Sequence, residues 1–211
     1  MMARLGVLGG MFDPVHNGHI HAACYAVENL SLDGVKMIPC SIPNHRDASI
    51  ASVQHRLQML ELATAEYPAI SIDSIEIDRA GISYTVDTLS SIRQSSEADQ
   101  LVFILGLDSF NGIVLWHDWT RILELAHLAV LSRPEMALEE GVADATQLVE
   151  REVDSVSKLY AKPAGNIFIA HDFNEDVSST AVRSGLQSQE DVAEYVDQNV
   201  LAYIAENRLY A

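Results

Sequence analysis

Two hydrophobic periods alternate along the chain. Leu5-Gly6-Val7-Leu8 is a short apolar run and reads as a strand. From His21 to Leu30 the apolar residues Ala22, Ala23, Ala26, Val27 and Leu30 fall at helical spacing. Val35 to Pro39 reads as a second strand, and Ser52 as the N-cap of a helix carrying Leu57, Leu60 and Leu62. Ile70 to Ile77 alternates apolar with polar residues, the pattern of a half-exposed strand. Thr85 to Gln94 reads as a short helix. Leu101 to Leu105 is continuously apolar, as a strand buried on both faces must be, and Leu128 to Leu131 and Ile167 to Ala170 repeat that pattern. The βαβα order predicts an α/β fold, a doubly wound parallel sheet of Rossmann-like type with helices on both faces. Glu135 to Leu159 is acidic and helical in pattern and reads as a surface insertion, about 135–160. Asp191 to Tyr210 reads as helical, within a C-terminal helical part of about 178–211. The expectation is a single domain over residues 1–211.

In open parallel sheets, ligands bind outside the carboxyl ends of the strands. The chemically unusual residues follow Leu8, Pro39, Leu105, Leu131 and Ala170, which are such ends. Hydrophobic content is 48% and mean hydropathy +0.08, as for a water-soluble globular protein. The net charge of −17, from 13 basic and 30 acidic residues, argues against nucleic acid or an anionic membrane as partner. Cys24 and Cys40 have no metal or redox spacing, and no signal peptide or bilayer-length apolar stretch is present, so a cytoplasmic setting is expected. The scarce basic residues Arg46, Arg133 and Arg183 stand beside turn signals, where an anion can be gripped.

The densest motif is Gly9-Gly10-Met11-Phe12-Asp13-Pro14-Val15-His16-Asn17-Gly18-His19. It lies between a strand and a helix. Free N–H groups at a helix start and the helix dipole favour an anion there, and Gly9 and Gly10 allow close backbone approach. His16 and His19, three residues apart, can turn both imidazoles toward one phosphate. The same histidines with Asp13 or His21 would be an alternative, metal-binding set, although no ligand pattern completes it. Ser178-Ser179-Thr180-Ala181-Val182-Arg183 is a Ser-capped helix start with an arginine one turn on. Gly106-Leu107-Asp108 follows a buried strand and offers a carboxylate to a diol.

The first segment resembles the His-x-Gly-His signature of the nucleotidyltransferase superfamily, and its longer form resembles the bacterial nicotinate-nucleotide adenylyltransferases. Met11 stands where that family has Thr or Ser, so a hydroxyl contact is lost while backbone contacts survive. Ser179, Thr180 and Arg183 match the second superfamily signature. Gly81 to Leu89, with Tyr84 and Thr85, matches a segment of the nicotinate-nucleotide enzymes that the pantetheine-phosphate enzymes lack. Trp116-His117-Asp118-Trp119 matches too; the resemblance implies that Trp116 stacks on a pyridine ring, while Trp119 is expected in the core. Pro43-Asn44-His45-Arg46 is similar to a Pro-Pro-His-Arg loop, with Asn44 for the second Pro, and Arg133-Pro134 and Tyr203 to Tyr210 also match.

The resemblance implies that AMP passes from ATP to nicotinate mononucleotide, giving nicotinate adenine dinucleotide and pyrophosphate. His16 and His19 are then catalytic. Gly9, Gly10, Met11, Phe12, Gly106, Asp108, Ser179, Thr180 and Arg183 join them in binding ATP. His45, Arg46, Tyr84, Thr85, Trp116 and Arg133 bind the acceptor. Mg2+ arrives on the ATP phosphates, with no metal held by the protein alone. The alternatives are another phosphate acceptor (nicotinamide mononucleotide or pantetheine phosphate), a non-catalytic nucleotide binder, or the metal-binding protein. A homo-oligomer is compatible with this reading.

Overall fold

A computed structural model describes residues 3–43, 49–95, 98–134 and 136–210. The elements follow in the order β1 (Arg4–Gly10), α1 (Asn17–Asn29), β2 (Gly34–Pro39), β3 (Ile42–Pro43), α2 (Val53–Thr64), β4 (Ile70–Ile72), α3 (Ile75–Arg79), β5 (Ile82–Ser83), α4 (Thr85–Ser95) and β6 (Gln100–Gly106). Then come α5 (Leu107–Asn111), α6 (Trp119–Leu125), β7 (His127–Leu131), α7 (Glu140–Ala145), α8 (Leu148–Arg151), β8 (Glu152–Val153), α9 (Val156–Leu159), β9 (Ile167–Ala170), α10 (Ser179–Gln187) and α11 (Gln198–Asn207).

Among the described residues seven strands form one sheet in the order β4-β2-β1-β6-β7-β9-β8, and every neighbouring pair is parallel. The fold is therefore the doubly wound, Rossmann-like one that the βαβα pattern predicts. The period-2 side-chain alternation explains its two cores. Val102 and Ile104 of β6, with Ala129 and Leu131 of β7, meet Ala23 of α1, Met59 and Leu60 of α2 and Ile204 of α11 on one face. Leu101, Phe103 and Leu105, with Leu128 and Val130, meet Leu89 of α4 and Ile122 of α6 on the other. From β1 the chain winds one way to β2 and β4, and from β6 the other way to β7 and β9. The reversal lies between β1 and β6, and a crevice opens at their carboxyl ends.

Three differences from the sequence pattern have physical causes. The alternating run from Ile70 stops being a strand at Ile72. Asp73 accepts the Ile75 N–H at 3.0 Å and pairs with Lys36 at 2.9 Å, and this turn starts α3 instead. Glu76 is then buried on Thr88, whose hydroxyl it accepts at 2.6 Å. The acidic segment carries α7, α8 and α9 but also β8, an edge strand too short to show a period. Its Val142, Leu148 and Leu159 are buried in the two cores, so it is more than a surface addition. Helix α11 begins only at Gln198, where Asp197 accepts the Asn199 and Val200 N–H groups.

Candidate functional site

The signature loop leaves β1 and turns sharply at Phe12, whose φ is +50°, a left-handed backbone that a bulky side chain seldom adopts. His16 is the extended N-cap residue of α1. Its backbone N–H donates to His19 Nδ1 at 3.3 Å, and the two imidazoles stack with centroids 3.7 Å apart. That bond makes Nδ1 of His19 the acceptor and Nε2 the protonated nitrogen. The Phe12 ring meets His19 edge-on at 4.9 Å. Gly18 is required here. A Cβ on it would lie 2.6 Å from Val177 Cγ1 and 3.2 Å from His16 Nδ1.

His16 is 5% exposed, and its Nδ1 has no hydrogen-bond partner among the described residues. Burial, helped by the Arg133 charge, pushes its pKa down to about 3. The imidazole is therefore neutral in the free protein at neutral pH. His127, buried between Gln100 and Asn166, is likewise pushed down to about 4, chiefly by burial. Unfolded histidines bind protons below about 6.5, so between that pH and about 4 the unfolded chain holds more protons than the folded one. The stabilising contribution is full above pH 6.5 and is lost as the pH falls through this window, by up to about 1.4 kcal/mol per pH unit for each histidine. Urea midpoints should fall steeply from pH 7 to pH 5; equal midpoints would contradict the burial of both rings.

Helix α10 brings the second motif onto the first. Ser178 caps it by accepting the Ala181 N–H at 3.1 Å. Ser179 Oγ donates to the Pro14 carbonyl at 2.9 Å, and Arg183 donates to the Asp13 carbonyl at 2.6 Å and to Thr180 Oγ1 at 3.2 Å. Two helix N-termini are thus fastened to one loop. Gly106 at the end of β6 is the N-cap of α5, and a Cβ there would meet Asp108 Oδ1 at 2.5 Å. Exposed Asp108 lies 3.8 Å from Arg133 Nε. The cleft at the crossover is lined by His16, His19, Gly106, Arg133, Phe173 and Glu175 among others.

The predicted site residues divide into three groups. Gly9, Gly10, His16, His19, Gly106, Asp108, Ser179, Thr180, Arg183 and Arg133 gather around the crossover. Arg133, expected among the acceptor-binding residues, thus sits beside His16. Phe12 is 1% exposed, and half-buried Met11 has its carbonyl taken by Arg56, whereas Gly9 is exposed. Tyr84, Thr85 and Trp116 form a second group. The Tyr84 carbonyl accepts the Asp87 and Thr88 N–H groups, which makes Thr85 the first residue of α4 and leaves its N–H at the helix start. Tyr84 packs on His117 at 4.4 Å and Trp116 meets Phe103 edge-on at 6.0 Å. Trp119, expected in the core, is only half-buried, as Trp116 is. Below them Ile42–Pro43 pairs with Ile82–Ser83 in a small parallel ribbon. His45 and Arg46, with Asn44, lie outside the described residues.

The metal-binding alternative meets two obstacles. The Asp13 carboxylate points away from the imidazoles and accepts the Ile50 N–H, the Ala51 N–H and the Tyr210 hydroxyl. His21 is paired with Glu175 at 2.7 Å. Sequence reasoning missed the loop after β9. Phe173 and Glu175 line the cleft, and Tyr25 donates to Asp172 at 2.6 Å to hold that loop on α1. Only its place after a sheet strand signalled it. No described helix is long and apolar enough to cross a membrane.

Comparison with known proteins agrees with this fold. The family described as cytidylyltransferase-like matches residues 7–185. The probable nicotinate-nucleotide adenylyltransferase of Methylococcus capsulatus is 38% identical over 208 residues, covering 98% of this chain and 99% of the relative. That of Cellvibrio japonicus is 38% identical over 211 residues, covering 100% of both. In fold, the chain is similar to the Plasmodium falciparum nicotinic acid mononucleotide adenylyltransferase complexed with NaAD, with a TM-score of 0.76 at 16% identity, covering 99% of this chain and 97% of that one. The chain belongs to the nicotinate-nucleotide adenylyltransferase family, within the cytidylyltransferase-like nucleotidyltransferases.

Proposed function

We propose that the protein transfers AMP from ATP to nicotinate mononucleotide, releasing pyrophosphate and forming nicotinate adenine dinucleotide, a step of NAD biosynthesis. The observation that carries this is the joining of two phosphate-directed helix starts through Asp13 and Pro14, with His16 and His19 stacked at one and Arg183 at the other. The names of the relatives support the same acceptor.

An oxygen of the acceptor's 5′-phosphate attacks the α-phosphorus of ATP. A new P–O bond forms, the bond from the α-phosphorus to the bridging oxygen breaks, and its electron pair leaves with pyrophosphate. The attacking oxygen is already anionic, so no protein nucleophile or base is required. Catalysis is positioning and charge stabilisation. The protonated Nε2 of His19 and the neutral ring of His16 donate to oxygens on which charge builds. Ser179, Thr180 and Arg183 hold the departing phosphates. Backbone at Gly9, Gly10 and Met11 and the Asp108 carboxylate hold the nucleotide, with Arg133 on the phosphate side. Tyr84, Thr85 and Trp116 hold the pyridine end, and His45 and Arg46 are assigned to the acceptor phosphate by resemblance alone.

Mg2+ fits as a partner of the triphosphate. His16, His19, Ser179, Thr180, Arg133 and Arg183 around the crossover offer hydrogen-bond donors to the phosphate oxygens, and the cation would ride on the triphosphate itself. When bound it neutralises phosphate charge. The test is an acceptor panel with ATP. Turnover should be highest with nicotinate mononucleotide. Turnover confined to pantetheine phosphate would replace the proposed acceptor.

A further inference from the structure

Asp13 belongs to the signature loop, yet its carboxylate faces away from the cleft into a buried network. Its Oδ2 accepts the Ile50 N–H at 2.7 Å, and its Oδ1 accepts the Ala51 N–H at 3.1 Å and the Tyr210 hydroxyl at 2.7 Å. The Asp13 carbonyl takes the Arg183 guanidinium. Three residues further on stands His16. One residue thus joins the loop of the imidazoles, the segment that follows residues 44–48, Arg183 of α10 and the turn after α11.

Tyr210 is delivered by a deliberate backbone route. Arg208 adopts φ +51° at the end of α11, the Leu209 N–H returns to the Ile204 carbonyl, and Tyr210 itself has φ +62°. The residue is 4% exposed. Burial and the neighbouring Asp13 carboxylate push the phenol well above its ordinary range, so it stays a donor. It does not line the cleft. A buried carboxylate whose donors come from two distant segments, with the carbonyl of the same residue held by a third, has one satisfied position, and the loop is held there.

We propose that Tyr210 is a positioning residue for adenylyl transfer: by donating to Asp13 it fixes the loop that presents His16 and His19. This rests on the reaction proposed above. Small displacements of catalytic groups lower kcat steeply, because the productive geometry is narrow.

The test is Tyr210→Phe, which keeps the ring and removes the hydroxyl. The expected result is a fall of ~10-fold in kcat with KM for ATP and for nicotinate mononucleotide changed less than about twofold. In parallel, the 15N signals of the His16 and His19 side chains should shift in the free protein, and amide exchange at Ile50 and Ala51 should speed up while that of β6 does not. A lowered melting temperature with unchanged kcat and unchanged histidine signals would overturn the proposal and leave Tyr210 a structural staple. If the unmodified protein shows no turnover, the proposed reaction fails by that result alone. The histidine signals then decide the positioning claim by themselves, shifted in its favour or unshifted against it.

Discussion

Replacing His16 or His19 with alanine lowers kcat by ~10²-fold or more, with a much smaller effect on ATP binding, as for other donors aimed at developing charge. The geometry gives the reason. The two rings stack at 3.7 Å at the start of α1, so they act on one small region. His16 is neutral in the free protein because burial and Arg133 hold its pKa at about 3. A neutral donor costs less to desolvate than a charged one and does not bind pyrophosphate so tightly that release stalls. His19 has a second duty, since its Nδ1 accepts the His16 N–H at the helix cap. His19→Ala should therefore also loosen α1, so kcat is compared only after circular dichroism shows folded protein. His19→Gln, which retains a polar head, should recover part of the cap but little of the turnover. Near-normal kcat in either alanine variant would remove these residues from the chemistry.

The second large effect concerns the acceptor. Nicotinate carries a carboxylate where nicotinamide carries an amide. A pocket that presents donors without acceptors satisfies the acid and leaves the amide N–H₂ unpaired. Thr85, at the first position of α4, has a hydroxyl and an N–H at the helix start, and the Trp116 segment lies nearby through the contact between Tyr84 and His117. An unpaired buried polar group costs ~1–3 kcal/mol, so the acid is favoured by roughly ten- to a hundredfold in kcat/KM. Thr85→Val should narrow that gap. Trp116→Ala should weaken both ribotides alike, because stacking on indole hardly senses the difference between acid and amide. Equal kcat/KM for the two ribotides in the unmodified protein would point to a dual-specificity enzyme.

The strands of both winding directions were legible because buried parallel strands are continuous apolar runs and the helices between them keep a separate period. The two histidines, Gly18 and the capped start of α10 were legible because each depends on local chemistry. What joins them was not. Asp13 and Tyr210 meet across 197 positions, and no periodicity encodes such a pair. Arg56 is a subtler case. It falls with Met59, Leu60 and Ala63 on one helical stripe, so a basic residue inside an apolar face was readable. Its fully buried guanidinium donates to the Met11 and Cys40 carbonyls at 2.7 Å each, bracing the signature loop from below. The run from Ile70 misled because Asp73 and Ser74 favour a turn more strongly than the alternation favours a strand.

In the proposed reaction AMP passes directly between two bound nucleotides, with no covalent stage on the protein. The most direct measurement uses ATP labelled at the α-phosphorus, with nicotinate mononucleotide and Mg2+, stopped by acid during turnover. With direct transfer, all transferred label appears in nicotinate adenine dinucleotide, with unlabelled pyrophosphate in equal amount and none on the precipitated protein. Label bound to the protein, or released as AMP without dinucleotide, would contradict it.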